Sequence, residues 1–168
     1  MNSIKATGGG DACEDIFGGL EEVLKLDWKH YIRILVHVGD APQHGSRFHD
    51  GRGDSYDEYK TFNEADPRGL KIENLLAGLK EKNILYNFGK INGCTDKMLQ
   101  EFRTCAKDPD VPKDFDMSNP SDIKKQCVRI ISASIDSVIM SSLSSRLYNP
   151  KLSFQIQDFS SNQTTFRI

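Results

Sequence analysis

The chain opens polar and glycine-rich. Its first period appears at Ile16, Phe17, Leu20, Val23 and Leu24, which recur at the spacing of one helical face. The next segment, "YIRILVHVGD", changes period: Ile32, Ile34, Val36 and Val38 share one face, while Leu35 and His37 lie on the other. A β-branched run that is apolar on both faces and closes on Gly39 and Asp40 predicts a strand buried on both sides in a parallel sheet. Residues 41–68 are rich in Gly, Asp and His and show no period, which predicts a long loop. Such length without structure is uncommon unless the loop is functional or disordered. Ile72, Leu75, Leu76 and Leu79 mark a second helix, and "ILYNFGKIN" a second strand. Thr95 stands at the N-cap of a third helix carrying Met98, Leu99, Phe102 and Cys105. Prolines break the stretch that follows and leave room for one short strand near Phe115. Ser121 or Asp122 can cap a long final helix lined by Ile123, Cys127, Ile131, Ile135 and Val138, with serines on its other face. "KLSFQIQDF" then alternates as a strand does, and "SSNQTTFRI" frays out. There is no internal repeat.

Helices alternating with strands in this order predict an α/β fold, a Rossmann-like doubly wound parallel sheet with helices on both faces. Two clear strands are few for such a sheet, so the chain reads as the later part of one, incomplete at its N-terminal side. With 168 residues it is long enough for one domain with a real core and too short for two. The domain is expected over residues 1–148, followed by an extension over 149–168.

Composition narrows the class. A formal charge of −2 with scattered lysines and arginines gives no pull toward nucleic acid or anionic lipid. The longest uninterrupted apolar runs, "ILV" and "VIM", fall far short of the ~20 residues of a membrane span. "MNSIKATGGGD" lacks the apolar core of a signal peptide. Cys13, Cys94, Cys105 and Cys127 form no C-x-x-C pair, so free thiols in a reducing, cytoplasmic setting are expected.

The chemistry concentrates in carboxylates. Ligands of open α/β sheets sit beyond the carboxyl ends of the strands, and Asp40 stands there. The loop before the first helix must reach the same edge, which brings Asp11 and Glu14 to face Asp40 across a crevice. Three converging carboxylates suit a hard cation, Mg²⁺ or else Ca²⁺ or Mn²⁺. The alternative is structural. Asp11 at N-cap with Glu14 three residues on matches a capping box with Asp in place of Ser or Thr, and both acids would complement the helix dipole. Asp40 could equally start a turn with Pro42.

"GGGDACEDIFGGLEEVL", "RILVHVGDAPQHGSRFHD", "ADPRGL" and "LYNFGKINGCTDKMLQEF" together resemble the von Willebrand factor type A domain found beside alpha-type protein kinases. The likeness runs over roughly residues 6–106, and the last helix fits that domain's last one. "DACE" also resembles the Asp-x-Pro-Glu metal loop of the integrin β-subunit's A-like domain, with Cys13 in the proline's place. The resemblance implies a metal-ion-dependent adhesion site, with Glu14 or Asp11 as the second-loop ligand and Asp40 as the third-loop ligand. It also implies protein–protein recognition, in which a partner's acidic side chain completes the cation's shell. The Asp-x-Ser-x-Ser loop that supplies most ligands in that family is missing from this sequence, and no alpha-kinase catalytic domain is present. The site is therefore expected to be degenerate, binding Mg²⁺ weakly or not at all in this chain alone.

Other signals carry less. His44 and His49 with Asp40 could hold a transition metal or serve a metal-assisted hydrolase, although a loop imposes no geometry on them; bracing the loop or contacting a partner is the simpler role. His37 reads as a core histidine. Arg52-Gly53-Asp54 reads as a chance tripeptide, and "GGG" without Gly-Lys-Ser/Thr is no phosphate cradle. Gly18 and Gly19 suggest a helix packed closely on the sheet. The expected function is a protein-interaction module with a degenerate metal site; the alternative is a regulatory fragment of a serine/threonine kinase.

Overall fold

The computed structural model describes residues 10–52, 55–59 and 66–147. Helix α1 (Ile16–Lys25) leads to strand β1 (Arg33–Gly39), then helix α2 (Ile72–Glu81) and strand β2 (Ile84–Lys90). Helix α3 (Asp96–Ala106), the short strand β3 (Lys113–Asp116) and helix α4 (Ile123–Leu147) complete the described order. The sheet is parallel throughout with order β1-β2-β3, Arg33 pairing with Ile84 and Asn87 with Lys113. The strand expected near Phe115 is thus present, which makes three among the described residues. The expected strand over residues 151–159, with the rest of the extension 149–168, lies outside them.

The core forms where the periodic faces meet. Ile16, Phe17 and Leu20 of α1, Ile72, Leu75, Leu76 and Leu79 of α2, and Met98, Leu99 and Phe102 of α3 close over Ile84, Tyr86 and Phe88, alternate residues of one β2 face. Phe48, from the loop after β1, is fully buried among them, its ring edge-on to Phe17 at 5.4 Å and to Phe102 at 5.9 Å. Such pairs add about 0.5–1.5 kcal/mol beyond area burial.

Four expectations change. β1 was expected to be buried on both sides, yet its residues are half-buried and Val38 is exposed. It is an edge strand of the described sheet, while β2, in the centre, is the buried one. The α1 cap is Asp15, not Asp11: its carboxylate accepts from the Gly18 backbone N–H at 2.9 Å, so Asp11 and Glu14 precede the helix instead of opening it. Gly18 is buried beneath the Asp15 and Arg68 side chains, but none of the described residues approaches Gly19, so close packing among them does not account for it. Finally, counting uninterrupted apolar runs understated α4. Ile123–Ser144 is long and apolar enough by length and composition to cross a membrane, and almost none of it is buried. Serines interrupt its apolar runs while the helix continues unbroken from Ile123 to Leu147, since serine costs a helix only a few tenths of a kcal/mol against alanine.

Candidate functional site

The loop after β1 is held by the turn before α1. Glu14 donates its backbone N–H to the Pro42 carbonyl at 2.9 Å, and Glu14 and Gln43 form an isolated parallel bridge. Gln43, 1% exposed, accepts the Phe17 backbone N–H on its side-chain oxygen at 2.8 Å, satisfying an amide at the start of α1. Lys97 on α3 donates to the carbonyls of Ser46 and His49 and to the Asp50 carboxylate. Arg47 reaches Glu73 on α2 and Glu101 on α3. The long loop is therefore an anchored layer over the end of the sheet.

Asp57 stands at its centre, 1% exposed. One carboxylate oxygen accepts from His44 Nδ1 and the Tyr59 amide, both at 2.9 Å. The other accepts from the Gly45 amide at 2.7 Å and His49 Nε2 at 2.8 Å. Gly45 makes its contact at φ 103, a conformation that an L side chain rarely adopts. Burial pushes the Asp57 carboxyl upward, but the hydrogen bonds from His44, Gly45, His49 and Tyr59 outweigh it and hold the pKa down to about 2. With Nε2 of His49 engaged, its Nδ1 is buried without a hydrogen-bond partner among the described residues. Such an orphan costs about 1–3 kcal/mol.

The opening turn closes the site. Ala12 and Cys13 both donate backbone N–H groups to the Tyr56 carbonyl at 3.1 Å, and Asp11 accepts the Glu58 amide at 2.7 Å. Asp11 also lies 3.5 Å from His44 Nδ1. Two groups of metal-ligand type result, Cys13–His49–Asp57 and Asp11–His44–Asp57, each with its donor atoms within 4.8 Å of one another. Burial, and then the charges of Asp57, Asp11 and Glu14, push the Cys13 thiol up to about 12.

Of the residues singled out by sequence, Asp11, His44 and His49 enter this constellation. Glu14 and Asp40 enter neither group; both are exposed at the rim of the same loop layer. His37 belongs elsewhere, its Nδ1 3.0 Å from the Tyr86 hydroxyl and its pKa lowered by burial. Gly53 and Asp54 of the "GRGDS" tripeptide, and Gly8 and Gly9 of the triple glycine, lie outside the described residues. Sequence reasoning missed Asp57 and the thiol of Cys13. Nothing in a loop without period distinguishes Asp57 from Asp50 or Asp54. The donor set that gathers mixes nitrogen, sulfur and oxygen, whereas Mg²⁺ and Ca²⁺ take oxygen alone.

No family model and no solved structure matches the chain. Among curated proteins, the alpha-protein kinase vwkA of Dictyostelium discoideum is 38% identical over 93 residues, which is 55% of this chain. The chain spans only 14% of that relative's length. The identity relates this part of the chain to an alpha-protein kinase.

Proposed function

We propose that this chain is a protein-recognition module of the von Willebrand type A kind, derived from or belonging to an alpha-kinase-associated protein. The observation that supports this most is the layer at the carboxyl end of the parallel strands. There the turn before α1 pairs with the loop after β1, and Ile91, just past β2, donates its backbone N–H to the Gly39 carbonyl. Open α/β sheets bind ligands at this edge. Glu14 and Asp40 are exposed there, on a base made rigid by the Asp57 hydrogen bonds. A rigid base lowers the ordering cost of association. Recognition needs no turnover, in keeping with a rim that carries charged side chains over a closed core. A partner presenting an acidic side chain would meet the rim through a weakly held Mg²⁺ or Mn²⁺, with the exposed Glu14 and Asp40 as its protein donors.

The test is a selection of displayed peptides against the immobilised chain, repeated on a variant carrying Glu14→Lys and Asp40→Lys. The reading expects selected peptides to lose at least about tenfold in affinity on the variant, some 1.4 kcal/mol. Peptides that bind both forms equally would refute it. Adding a chelator separates the modes: lost binding supports a cation bridge, and retained binding a plain protein surface.

A second reading rests on the relation to the alpha-protein kinase, namely that this chain is a regulatory portion of a serine/threonine kinase. It expects the chain, added to an alpha-kinase catalytic domain, to change the rate of phosphotransfer to a serine or threonine substrate.

A further inference from the structure

A cavity of about 680 Å³ opens between the second half of α4 and the start of β1 and β2. That volume falls within the roughly 300–1,000 Å³ of small-molecule sites. Its floor is apolar: Leu76, Leu79 and Ile84, all buried, line it together with Val138 of α4. Two cations stand in the same lining. Arg33 donates Nε to the His30 carbonyl at 2.9 Å and Nη1 to the Lys82 carbonyl at 2.5 Å, which fixes its guanidinium. Its Nη2 has no partner among the described residues, and neither has the exposed Lys80 ammonium. Two carboxylates also line the cavity. Glu73 is offset by Arg47 at 2.9 Å, which leaves Asp108 alone against two cations. We propose that this cavity binds a fatty-acyl carboxylate, its chain on the apolar floor and its head group on Arg33 and Lys80.

The two parts of the lining select an amphiphile. Hydrocarbon laid on the floor leaves water, and each methylene fully buried there is worth roughly fourfold in affinity. A carboxylate placed at Nη2 of Arg33 and at the Lys80 ammonium gains charge-assisted hydrogen bonds from both. The guanidinium is already held by two backbone carbonyls, so little of its ordering is left to association. The stem of Lys80 is itself hydrocarbon and can lie along the acyl chain while its ammonium meets the head group. A cationic head group on the same chain is repelled by the same two residues. Tyr31, which also lines the cavity, is 81% exposed, an aromatic ring with little cover of its own. The cavity lies at the amino ends of the strands, opposite the rim that carries Glu14 and Asp40. This site is therefore independent of whether the rim binds a partner.

The full chain is titrated calorimetrically with octanoate, decanoate and dodecanoate, each below its micelle concentration. The expected result is one-to-one binding that tightens at least about threefold for every two carbons added. Dodecyltrimethylammonium, with the same chain and the opposite charge, should bind at least about tenfold more weakly than dodecanoate. Lys80→Glu alters an exposed side chain and should weaken dodecanoate at least about fivefold. Val138→Trp fills the cavity and should weaken it at least as much. No binding to the unaltered chain, equal binding of the cationic amphiphile, or unchanged affinity in Lys80→Glu overturns the proposal. If Val138→Trp does not fold, a nitroxide-labelled fatty acid added to the unaltered chain decides, read by methyl NMR. Broadening of the Leu76, Leu79, Ile84 and Val138 methyl signals supports the site. Broadening confined to Val128, Ile131 and Ile139, exposed elsewhere on α4, refutes it.

Discussion

Replacing Asp57 by asparagine tests whether one buried carboxylate organises the loop layer. The substitution keeps the shape and removes the charge. Each carboxylate oxygen now accepts one backbone N–H and one histidine nitrogen. An asparagine amide placed at either oxygen points its own N–H groups at the Tyr59 amide or at the Gly45 amide. A histidine can answer by exchanging tautomers, but a backbone amide cannot, so one buried N–H is stranded whichever way the side chain turns. One bond to a charged acceptor is lost, at about 1.5–3 kcal/mol, and its buried donor is left unsatisfied at about 1–3 kcal/mol more, which places the cost at roughly 2.5–6 kcal/mol. Urea unfolding at pH 7 reads this directly. Trp28, the single tryptophan, packs against the core and bonds to the Val23 carbonyl, so its fluorescence follows the fold. The measurement is made with a chelator present, so that metal linkage adds nothing. A loss under about 1 kcal/mol would refute the idea that Asp57 is the anchor, since exposed substitutions usually stay within about 0.5 kcal/mol.

The same geometry sets further outcomes. Because the Asp57 pKa is depressed to about 2 in the fold, its contribution is fully present above an unfolded value of about 4. About 2 kcal/mol should be lost as pH falls from about 4 to about 2, and acid titration of the asparagine variant should lack that component. Phe48→Ala should cost about 3–5 kcal/mol in the same urea experiment, because the ring is fully buried between Phe17 and Phe102. Gly19→Ala should stabilise by up to about 1 kcal/mol, since an added Cβ meets nothing within 4 Å among the described residues; a loss of stability there would contradict the placement of α1. Under a thiol reagent at pH 8, exposed Cys94 should react first and buried Cys13 only on unfolding, which peptide mapping by mass spectrometry can follow.

The regular elements were legible in the sequence because their burial follows a period. Ile72, Leu75, Leu76 and Leu79 are apolar at helical spacing and all four are buried, so α2 could be read without coordinates. The same holds for Met98, Leu99 and Phe102 on α3, and for the run that became β2. The position of Asp40 beyond β1 also followed from parallel topology. What periodicity cannot carry is neighbourhood. Whether β1 is central or at an edge depends on which strands flank it, and the cap of α1 depends on where Arg68 and the Gly18 amide lie. The constellation around Asp57 joins residues 11–13, 44–49 and 57, separated by stretches with no repeat. Only tertiary structure brings these carboxylates, imidazoles and the thiol into one interior. A buried charge is tolerated there because four donors converge on it, and convergence is a property of three dimensions that no linear pattern encodes.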